Sequence, residues 1–193
     1  MENINELEVL QERKLTKTSI NVNSLKKDIA KYFSKEELDE KFLEIKNYKH
    51  KLLIKFLWMS GVRVTEAINL RKKDIDFENY LLRVRWLKSR KWNERILPLH
   101  PQLRDILEFY VAPLNQEDLL FPFSRQRAWK ITTDAIGGSP HQLRHSFAVH
   151  WLRSGGDIII LSKILGHSKI QITMEYLKIV PIDQGKELIK IRF

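Results

Sequence analysis

Residues 82–99 read LRVRWLKSRKWNERILPL, and this stretch sets the fold class because its pattern differs from that of the sequence on either side. Apolar and arginine side chains alternate through its first half, at Leu82, Arg83, Val84, Arg85 and Trp86. Alternation with a period of two indicates a half-buried strand. Residues 94–99 predict a partner strand, and the basic residues 87–93 predict a hairpin tip between the two strands.

Helical patterns flank this hairpin on both sides. Ser34 and Glu37 have the spacing of a capping box, which predicts a helix running to about Ile45. Gly61 is suited to end the next helix as a C-terminal cap. Further helices are predicted over about 48–60, 65–70, from Pro101 onward, 125–136, 141–154, 158–165 and 169–178. The sequence therefore predicts a mainly α fold with one small antiparallel β-sheet, of the α+β class.

The composition indicates a globular chain with a polyanionic partner. Its 193 residues are 43% hydrophobic and 30% charged, which allows a real core. The 34 Lys and Arg against 24 Asp and Glu give a net charge of +10. A surplus of this size favours nucleic acid, because each neutralised phosphate releases condensed counterions. An anionic membrane surface, or no polyanion at all, are the alternatives.

Several classes of site are excluded or disfavoured. Without cysteine there is no disulfide, thiolate metal site or cysteine nucleophile. The six histidines do not show a metal-binding spacing such as H-E-x-x-H, so no metal site is expected. The longest apolar run, Leu52–Met59, is interrupted by Lys55 and is too short to cross a bilayer. The N-terminus lacks the features of a signal peptide, so a cytoplasmic location is expected.

The segment 139–152, SPHQLRHSFAVHWL, carries the first chemical signal. Pro140 suits a helix start, and His141 and Arg144 are three residues apart on one helical face. Unpaired N–H groups at a helix start attract anions, so this pattern predicts a phosphate site. Taken alone, it also fits an ordinary charged surface helix.

Two further segments add candidate groups. In SGVRVTEAINLRKKDID (60–76), Arg63 follows a glycine turn, and Glu66 is placed to orient it; the alternative is a surface ion pair. In LGHSKIQITMEYLKI (165–179), His167 lies in a turn, and Tyr176 follows nine residues later, past a short helix that Ser168 is expected to cap. A lone tyrosine of this kind is otherwise a core residue with a satisfied hydroxyl.

The order of these motifs resembles the tyrosine recombinase or phage-integrase family, over about residues 35–180. The resemblance implies the catalytic-domain fold of that family. It also implies a site-specific DNA recombinase that cleaves and rejoins DNA through a 3′-phosphotyrosyl intermediate, without a metal or other cofactor. In this reading Arg63 and Arg144 hold the scissile phosphate, and His141 and His167 match the two histidines of the family. Glu66 matches an acidic residue that supports the first arginine.

The resemblance also assigns the nucleophile and the proton donor. Tyr176 matches the nucleophile, and its ordinary pKa of about 10 means that it needs a base or a strongly cationic site. His141 is the candidate base, whereas His145 is interpreted as structural. A hairpin lysine protonates the leaving oxygen in the family. Lys88 and Lys91 compete for that role here, and Lys88 is favoured because it lies at the end of the first strand.

Basic residues away from the centre are candidate DNA contacts. They are Arg71, Lys72, Lys73, Lys91, Arg125, Arg127 and Lys130. Those at 125–130 lie on a predicted helix that could enter a groove. A solvated helix surface is the alternative for each. The resemblance implies double-stranded DNA as partner, a homo-oligomer on that DNA, an accessory DNA-bending protein and nucleoid association when bound.

The chain is divided into three parts by its patterns. Residues 1–25 are expected to form an arm or lead-in, residues 26–180 the catalytic domain, and residues 181–193 a tail. The tail either docks on a neighbouring subunit or packs on its own domain. Family members often carry a separate N-terminal helical domain, for which about 30 residues are too few. The chain is therefore expected to be an excised domain or to resemble single-domain inversion recombinases.

Two other functions compete with recombination. A type IB topoisomerase-like enzyme would use the same chemistry to relax supercoils, although the L-G-H motif before the tyrosine favours a recombinase. A catalytically silent DNA-binding regulator would retain only the fold. The complete set of catalytic candidates argues against this second alternative.

Overall fold

A computed structural model of the chain describes residues 32–88 and 91–180. The predicted arm (1–25) and tail (181–193) lie outside the described residues, as do the side chains of Leu87, Lys88 and Lys91. No helix within the described ranges is long and apolar enough to cross a membrane.

The observed architecture is mainly helical with one three-stranded antiparallel sheet, as the sequence predicted. The helices are α1 (Lys35–Glu44), α2 (Tyr48–Ser60), α3 (Val64–Ala67), α4 (Pro101–Val111), α5 (Arg125–Ile136), α6 (Pro140–Arg153), α7 (Ile158–Leu165) and α8 (Ile170–Met174). The strands are β1 (Ile75–Asp76), β2 (Leu81–Lys88) and β3 (Lys91–Pro98). Short 3₁₀ turns span Lys72–Asp74 and Glu175–Lys178.

The hairpin is longer than the sequence pattern predicted. The strand order is β1-β2-β3, and the β2–β3 ladder continues to the pair Lys88 and Lys91. The predicted tip at 87–93 is therefore wrong in its bounds, because only residues 89 and 90 lie between the strands. Backbone hydrogen bonds extend the ladder through residues whose side chains do not alternate in polarity, so the periodicity could not show it.

Helix α2 lies in the centre of the main core. Its residues Leu53, Ile54, Phe56 and Leu57 are fully buried, and the ring of Phe56 lies 5.3 Å from that of Phe121 on the loop before α5. Burial of each such side chain contributes about 1.5–3 kcal/mol. This core holds the sheet and the starts of α3 and α6 in fixed positions.

A second, smaller cluster positions the end of the described chain. It contains Val149 of α6, Leu161 and Leu165 of α7, and Tyr176 and Val180 beyond α8. Because the aromatic ring of Tyr176 belongs to this cluster, the 3₁₀ turn that carries it is held against α6.

Two glycine turns carry the chain into the region where the motifs meet. Gly61 ends α2 with a φ of 64°, and its N–H donates to the carbonyl of Leu57. Gly166 ends α7 with a φ of 64° and donates to the carbonyl of Lys163. This left-handed conformation is readily adopted by glycine but strained for other residues.

The last helical segment differs from its prediction. Ser168 was expected to cap a helix over 169–178, but α8 begins after Lys169, no side chain caps it, and the segment tightens into a 3₁₀ turn at Glu175. Thr173 and Tyr176 both point inward and are three residues apart. Both therefore lie on the buried face of the segment, and a 3₁₀ turn of this kind is common at the C-terminus of an α-helix.

Candidate active site

Residues from α3, β2, β3 and the turn after α7 line one cleft of about 610 Å³. Arg63, Glu66 and His167, three of the residues predicted from the motifs, are part of its lining. Arg144 contacts the cleft residue His167, and its charge acts on Tyr176. The structure therefore brings together groups that are up to 113 residues apart in the chain.

Arg144 lies at the floor of this site and is only 5% exposed. Its Nη1 donates to the carbonyl of Gly61 at 2.7 Å, and its Nη2 donates to that of Leu165 at 2.5 Å. Burial, followed by the charge of Arg63, lowers the pKa of Arg144 to about 10. The guanidinium therefore stays protonated at neutral pH and keeps one fixed orientation.

His167 is held between two polar partners. Its Nε2 lies 3.3 Å from Nη2 of Arg144, and its Nδ1 lies 2.8 Å from Oγ1 of Thr173. Burial, then the charges of Arg144 and Arg63, lower the pKa of His167 to about 4. The ring is therefore neutral at pH 7. Because arginine is only a donor, we assign Nε2 as the acceptor and place the ring proton on Nδ1, facing Thr173.

Glu66 supports Arg63, as the motif predicted, and is itself buried, with 2% exposure. Its Oε2 accepts from the backbone N–H of Arg63 at 2.8 Å, and its Oε1 accepts from Nη1 of Arg63 at 3.0 Å. Burial acts to raise the pKa of Glu66, but the hydrogen bonds and charge of Arg95, with those of Arg63, outweigh it and lower the pKa. The carboxylate therefore stays ionised inside the protein.

Arg95 is a site residue that the sequence analysis missed. It lies on β3, and its Nη1 and Nη2 donate to the two oxygens of Glu66 at 3.0 and 2.9 Å. A signal was present in the strand pattern. Arg95 has the same parity as the buried Leu97 and pairs with the buried Val84, so it is a charged residue on the inward face of the sheet.

Tyr176 is buried, and its hydroxyl bonds a histidine that had been interpreted as structural. Its Oη lies 2.7 Å from Nδ1 of His145, and only 4% of the residue is exposed. Burial raises the pKa of Tyr176 to about 12, against the opposing charge of Arg144. His141, the base expected from sequence, lies edge-on to His145 with ring centroids 5.8 Å apart. His145 is four residues after His141, a helical spacing that could have indicated their shared face.

The first predicted basic cluster makes internal contacts. Arg71 and Lys73 both form ion pairs with Glu117, at 3.2 and 2.6 Å. Nζ of Lys72 donates to the carbonyl of Leu114 at 2.7 Å. These contacts join residues 71–73 to the loop after α4, which gives the cluster a structural role whether or not it also contacts DNA.

The second basic cluster lies on the surface of α5. Arg125 and Arg127 are exposed at the start of the helix, and Lys130 pairs with Asp134 one turn later. At the hairpin, the structure describes only the backbone of Lys88 and Lys91, which are paired directly across the ladder. Among the described residues, no group of three His, Cys, Asp or Glu side chains could hold a metal ion.

The sequence of this chain is similar to those of known proteins. Residues 31–181 match the sequence model of the phage integrase family. Tyrosine recombinase XerA of Pyrococcus furiosus is 32% identical over 171 residues, which cover 79% of this chain and 59% of that protein. The chain spans about half the length of the curated relatives that it matches.

Solved structures share the same fold. The crystal structure of XerA recombinase superposes with a TM-score of 0.63 and 25% identity, covering 84% of this chain and 66% of that one. The XerH site-specific recombinase bound to its difH substrate, in a pre-cleavage complex, gives a TM-score of 0.61 and 25% identity, covering 83% of this chain and 54% of that one.

Proposed function

This chain belongs to the phage integrase family, and on that premise we propose that it is the catalytic part of a site-specific tyrosine recombinase. It would cleave and rejoin double-stranded DNA through a 3′-phosphotyrosyl intermediate. The observation that carries the proposal is that Arg63 and His167 line one cleft, while the buried Arg144 contacts His167 and its charge acts on the buried Tyr176.

The charge of the site fits a phosphodiester under attack. Among the described residues, Arg63 and Arg95 form ion pairs with one carboxylate, that of Glu66, and the charge of Glu66 also acts on Arg144, so positive charge is in excess. A phosphodiester carries one negative charge, and nucleophilic attack spreads more charge over its non-bridging oxygens. Fixed donors in a site with little water stabilise that charge without having to reorganise. We therefore assign Arg63 and Arg144 to the non-bridging oxygens. His167 joins them when a phosphate oxygen replaces its Nε2 as the acceptor for Arg144 and its ring proton moves from Nδ1 to Nε2.

In the chemical step, the Oη of Tyr176 forms a bond to phosphorus as the bond from phosphorus to the 5′-oxygen breaks. The hydroxyl proton passes to a base. His145 is the histidine in hydrogen-bond contact with this hydroxyl, and His141, the base expected from sequence, is adjacent to it. Lys88, or alternatively Lys91, protonates the leaving 5′-oxygen. The phosphotyrosyl ester retains the bond energy, so attack by another 5′-hydroxyl reseals the strand and releases Tyr176.

Tyr176 has to move before it can react. A nucleophile that is 4% exposed cannot meet an external phosphorus, and its pKa of about 12 leaves almost no phenolate at neutral pH. We propose that DNA binding draws the 3₁₀ turn Glu175–Lys178 outward. The cationic side chains of the cleft then lower the energy of the phenolate.

A recombinase has to bring two duplexes together, so we propose a homo-oligomer on DNA, with an accessory DNA-bending protein supporting site choice. We propose a cytoplasmic protein that associates with the nucleoid when bound. Residues 26–180 form the catalytic domain, 1–25 a lead-in, and 181–193 a tail that docks on a neighbouring subunit.

The test is covalent capture on genomic DNA from the source organism. After denaturation with SDS, the wild type is expected to retain linked DNA fragments that share one cleaved sequence, whereas Tyr176→Phe retains none. Tyr110→Phe is the control, because the half-buried Tyr110 also has its hydroxyl in a hydrogen bond, which it donates to the carbonyl of Leu120 at 2.8 Å, outside the site. Linked DNA from Tyr176→Phe would refute the assignment of the nucleophile.

The same assay separates the alternatives. Salt-sensitive DNA binding without any covalent link would favour a silent regulator. Relaxation of supercoiled plasmid without strand exchange between two duplexes would favour a topoisomerase-like enzyme.

A further inference from the structure

We propose that Arg95 is a positioning residue that orients Arg63 through Glu66 and also fixes the turn that carries His167. This inference rests on the proposed function and adds to it a residue that acts on the phosphate-binding groups from outside the phosphate site. Arg95 is on β3, whereas the groups it connects are on α3 and at the end of α7.

Hydrogen bonds from two arginines occupy all the acceptor positions of the Glu66 carboxylate. It accepts four hydrogen bonds, two from Arg63 and two from Arg95, with lengths between 2.8 and 3.0 Å. An ionised carboxylate has about four acceptor positions, so none is left over. The planar, bidentate contact from Arg95 fixes the rotation of this carboxylate. Glu66 can then hold the guanidinium of Arg63, whose side chain is 38% exposed, in one direction.

The last carbonyls of α7 receive hydrogen bonds from outside the regular helix. The last four carbonyls of a helix have no partner within the helix, and this end carries partial negative charge. Here the N–H groups of His167 and Gly166 donate to the carbonyls of Ser162 and Lys163. The two carbonyls that follow accept from arginine side chains.

Arg95 and Arg144 donate hydrogen bonds to these two consecutive carbonyls. Nε of Arg95 donates to Ile164 at 3.0 Å, and Nη2 of Arg144 donates to Leu165 at 2.5 Å. The turn that carries His167 is thus anchored at its base by both arginines. Arg95 connects this anchor directly to Glu66, and thereby to Arg63.

The guanidinium of Arg95 is closely packed by its neighbours. One face of its guanidinium lies over the ring of Trp86 at 5.0 Å, and a Cβ on Gly166 would come within 3.1 Å of its Nη1. The side chain is 11% exposed, and its Nε, Nη1 and Nη2 all donate to protein acceptors. Arg95 therefore binds Glu66 and the carbonyl end of α7, whereas Arg63 remains accessible to a phosphate.

The test compares Arg95→Met with Arg104→Met. Arg104 makes the same kinds of contact outside the site: Nε donates to the carbonyl of Phe77, the guanidinium pairs with Glu108, and it lies over the ring of Tyr80. On the DNA recovered by covalent capture, Arg95→Met is expected to slow formation of the covalent complex about 100-fold, while the Kd for DNA changes less than about threefold. Arg104→Met is expected to leave both unchanged.

The pH profile distinguishes positioning from a general loss of structure. Without Arg95, burial raises the pKa of Glu66, so its carboxylate takes up a proton as the pH falls and releases Arg63. The ratio of the Arg95→Met rate to the wild-type rate is therefore expected to fall as the pH falls, because protonation of the catalytic base affects both proteins alike. Arg95→Lys, which keeps the charge but loses the bidentate geometry, is expected to recover part of the rate and most of the wild-type pH profile.

A readout without DNA keeps the inference separate from the proposed function. The ¹³C shift of the Glu66 carboxyl, followed in the whole chain, is expected to titrate at higher pH in Arg95→Met than in the wild type, and Arg104→Met is expected to match the wild type. If the wild type forms no covalent complex, the proposed function fails and this titration alone decides on Arg95. An unchanged Glu66 titration in Arg95→Met, or an unchanged cleavage rate, overturns the inference.

Discussion

His167 is a residue whose surroundings keep it neutral, and this makes it a source of pH-dependent stability. Its pKa in the folded chain is lowered to about 4 by burial and by the charges of Arg144 and Arg63, whereas an unfolded histidine has a pKa of about 6.5. Its contribution to the free energy of unfolding is therefore fully present above about pH 6.5 and is lost as the pH falls through about 4.

Comparing the wild type with His167→Gln isolates this effect from the other acidic groups. The advantage of the wild type in free energy of unfolding is expected to shrink by about 1–2 kcal/mol between pH 7 and pH 4, after allowance for solvent screening. Urea titrations at several pH values measure it. A difference that stays constant over this range would mean that His167 titrates alike in the folded and unfolded chain.

At this same scale, residues within a contiguous motif were easier to predict than their partners. The spacing of Arg63 and Glu66 indicated a contact that the structure contains. Arg95 and His145 were missed because their roles depend on which distant groups the fold brings to them, at separations of 29 and 31 residues. The roles of the predicted catalytic residues stay predictions until cleavage is measured.

The elements that the sequence predicted best are those with local signals at both ends. Helix α5 has Ser124 as its N-cap and Gly137 as its C-cap, and α7 has Asp157 and Gly166. The bounds of both helices agree with the prediction. The end of the hairpin and the break after α8 could not be predicted in the same way. Backbone pairing sets the first, and the second is a 3₁₀ turn of the kind that often ends an α-helix.

The stability of the start of α6 is expected to affect the rate at which the covalent complex forms. Ser139 accepts from the N–H of Gln142 at 3.3 Å, and Gln142 accepts from the N–H of Ser139 at 2.8 Å, which closes a capping box one turn before Arg144. Loss of such a cap costs about 1 kcal/mol. Ser139→Ala is therefore expected to destabilise the chain by about that amount and to loosen the turn that carries His141.

Ser34→Ala is the control for this prediction, because Ser34 closes the same kind of capping box at α1, where it accepts from the N–H of Glu37 at 3.1 Å. Both variants should lose similar stability in thermal unfolding. Only Ser139→Ala is expected to slow formation of the covalent complex. Equal slowing by the two would show that the reaction responds to overall stability and that the start of α6 has no special part in it.

For the whole molecule, the net charge of +10 is distributed unequally between structural and available groups. Lys72 and Lys73 are engaged with the loop after α4, through the carbonyl of Leu114 and the carboxylate of Glu117. Arg125 and Arg127 are exposed at the start of α5. Two double substitutions can therefore remove two positive charges each, one from side chains bonded within the protein and the other from exposed side chains.

This contrast predicts the salt dependence of DNA binding. Each phosphate contact contributes about 0.9 to the slope of log K against log salt concentration. Replacing Arg125 and Arg127 together by Gln is expected to reduce that slope by about 1.8, as measured by fluorescence anisotropy on a duplex of mixed sequence. Replacing Lys72 and Lys73 together by Gln is expected to leave the slope nearly unchanged and to lower the free energy of unfolding instead. Because both double variants lose two positive charges, an equal fall in slope would mean that the field of the whole molecule, and not contact at α5, sets its affinity for DNA.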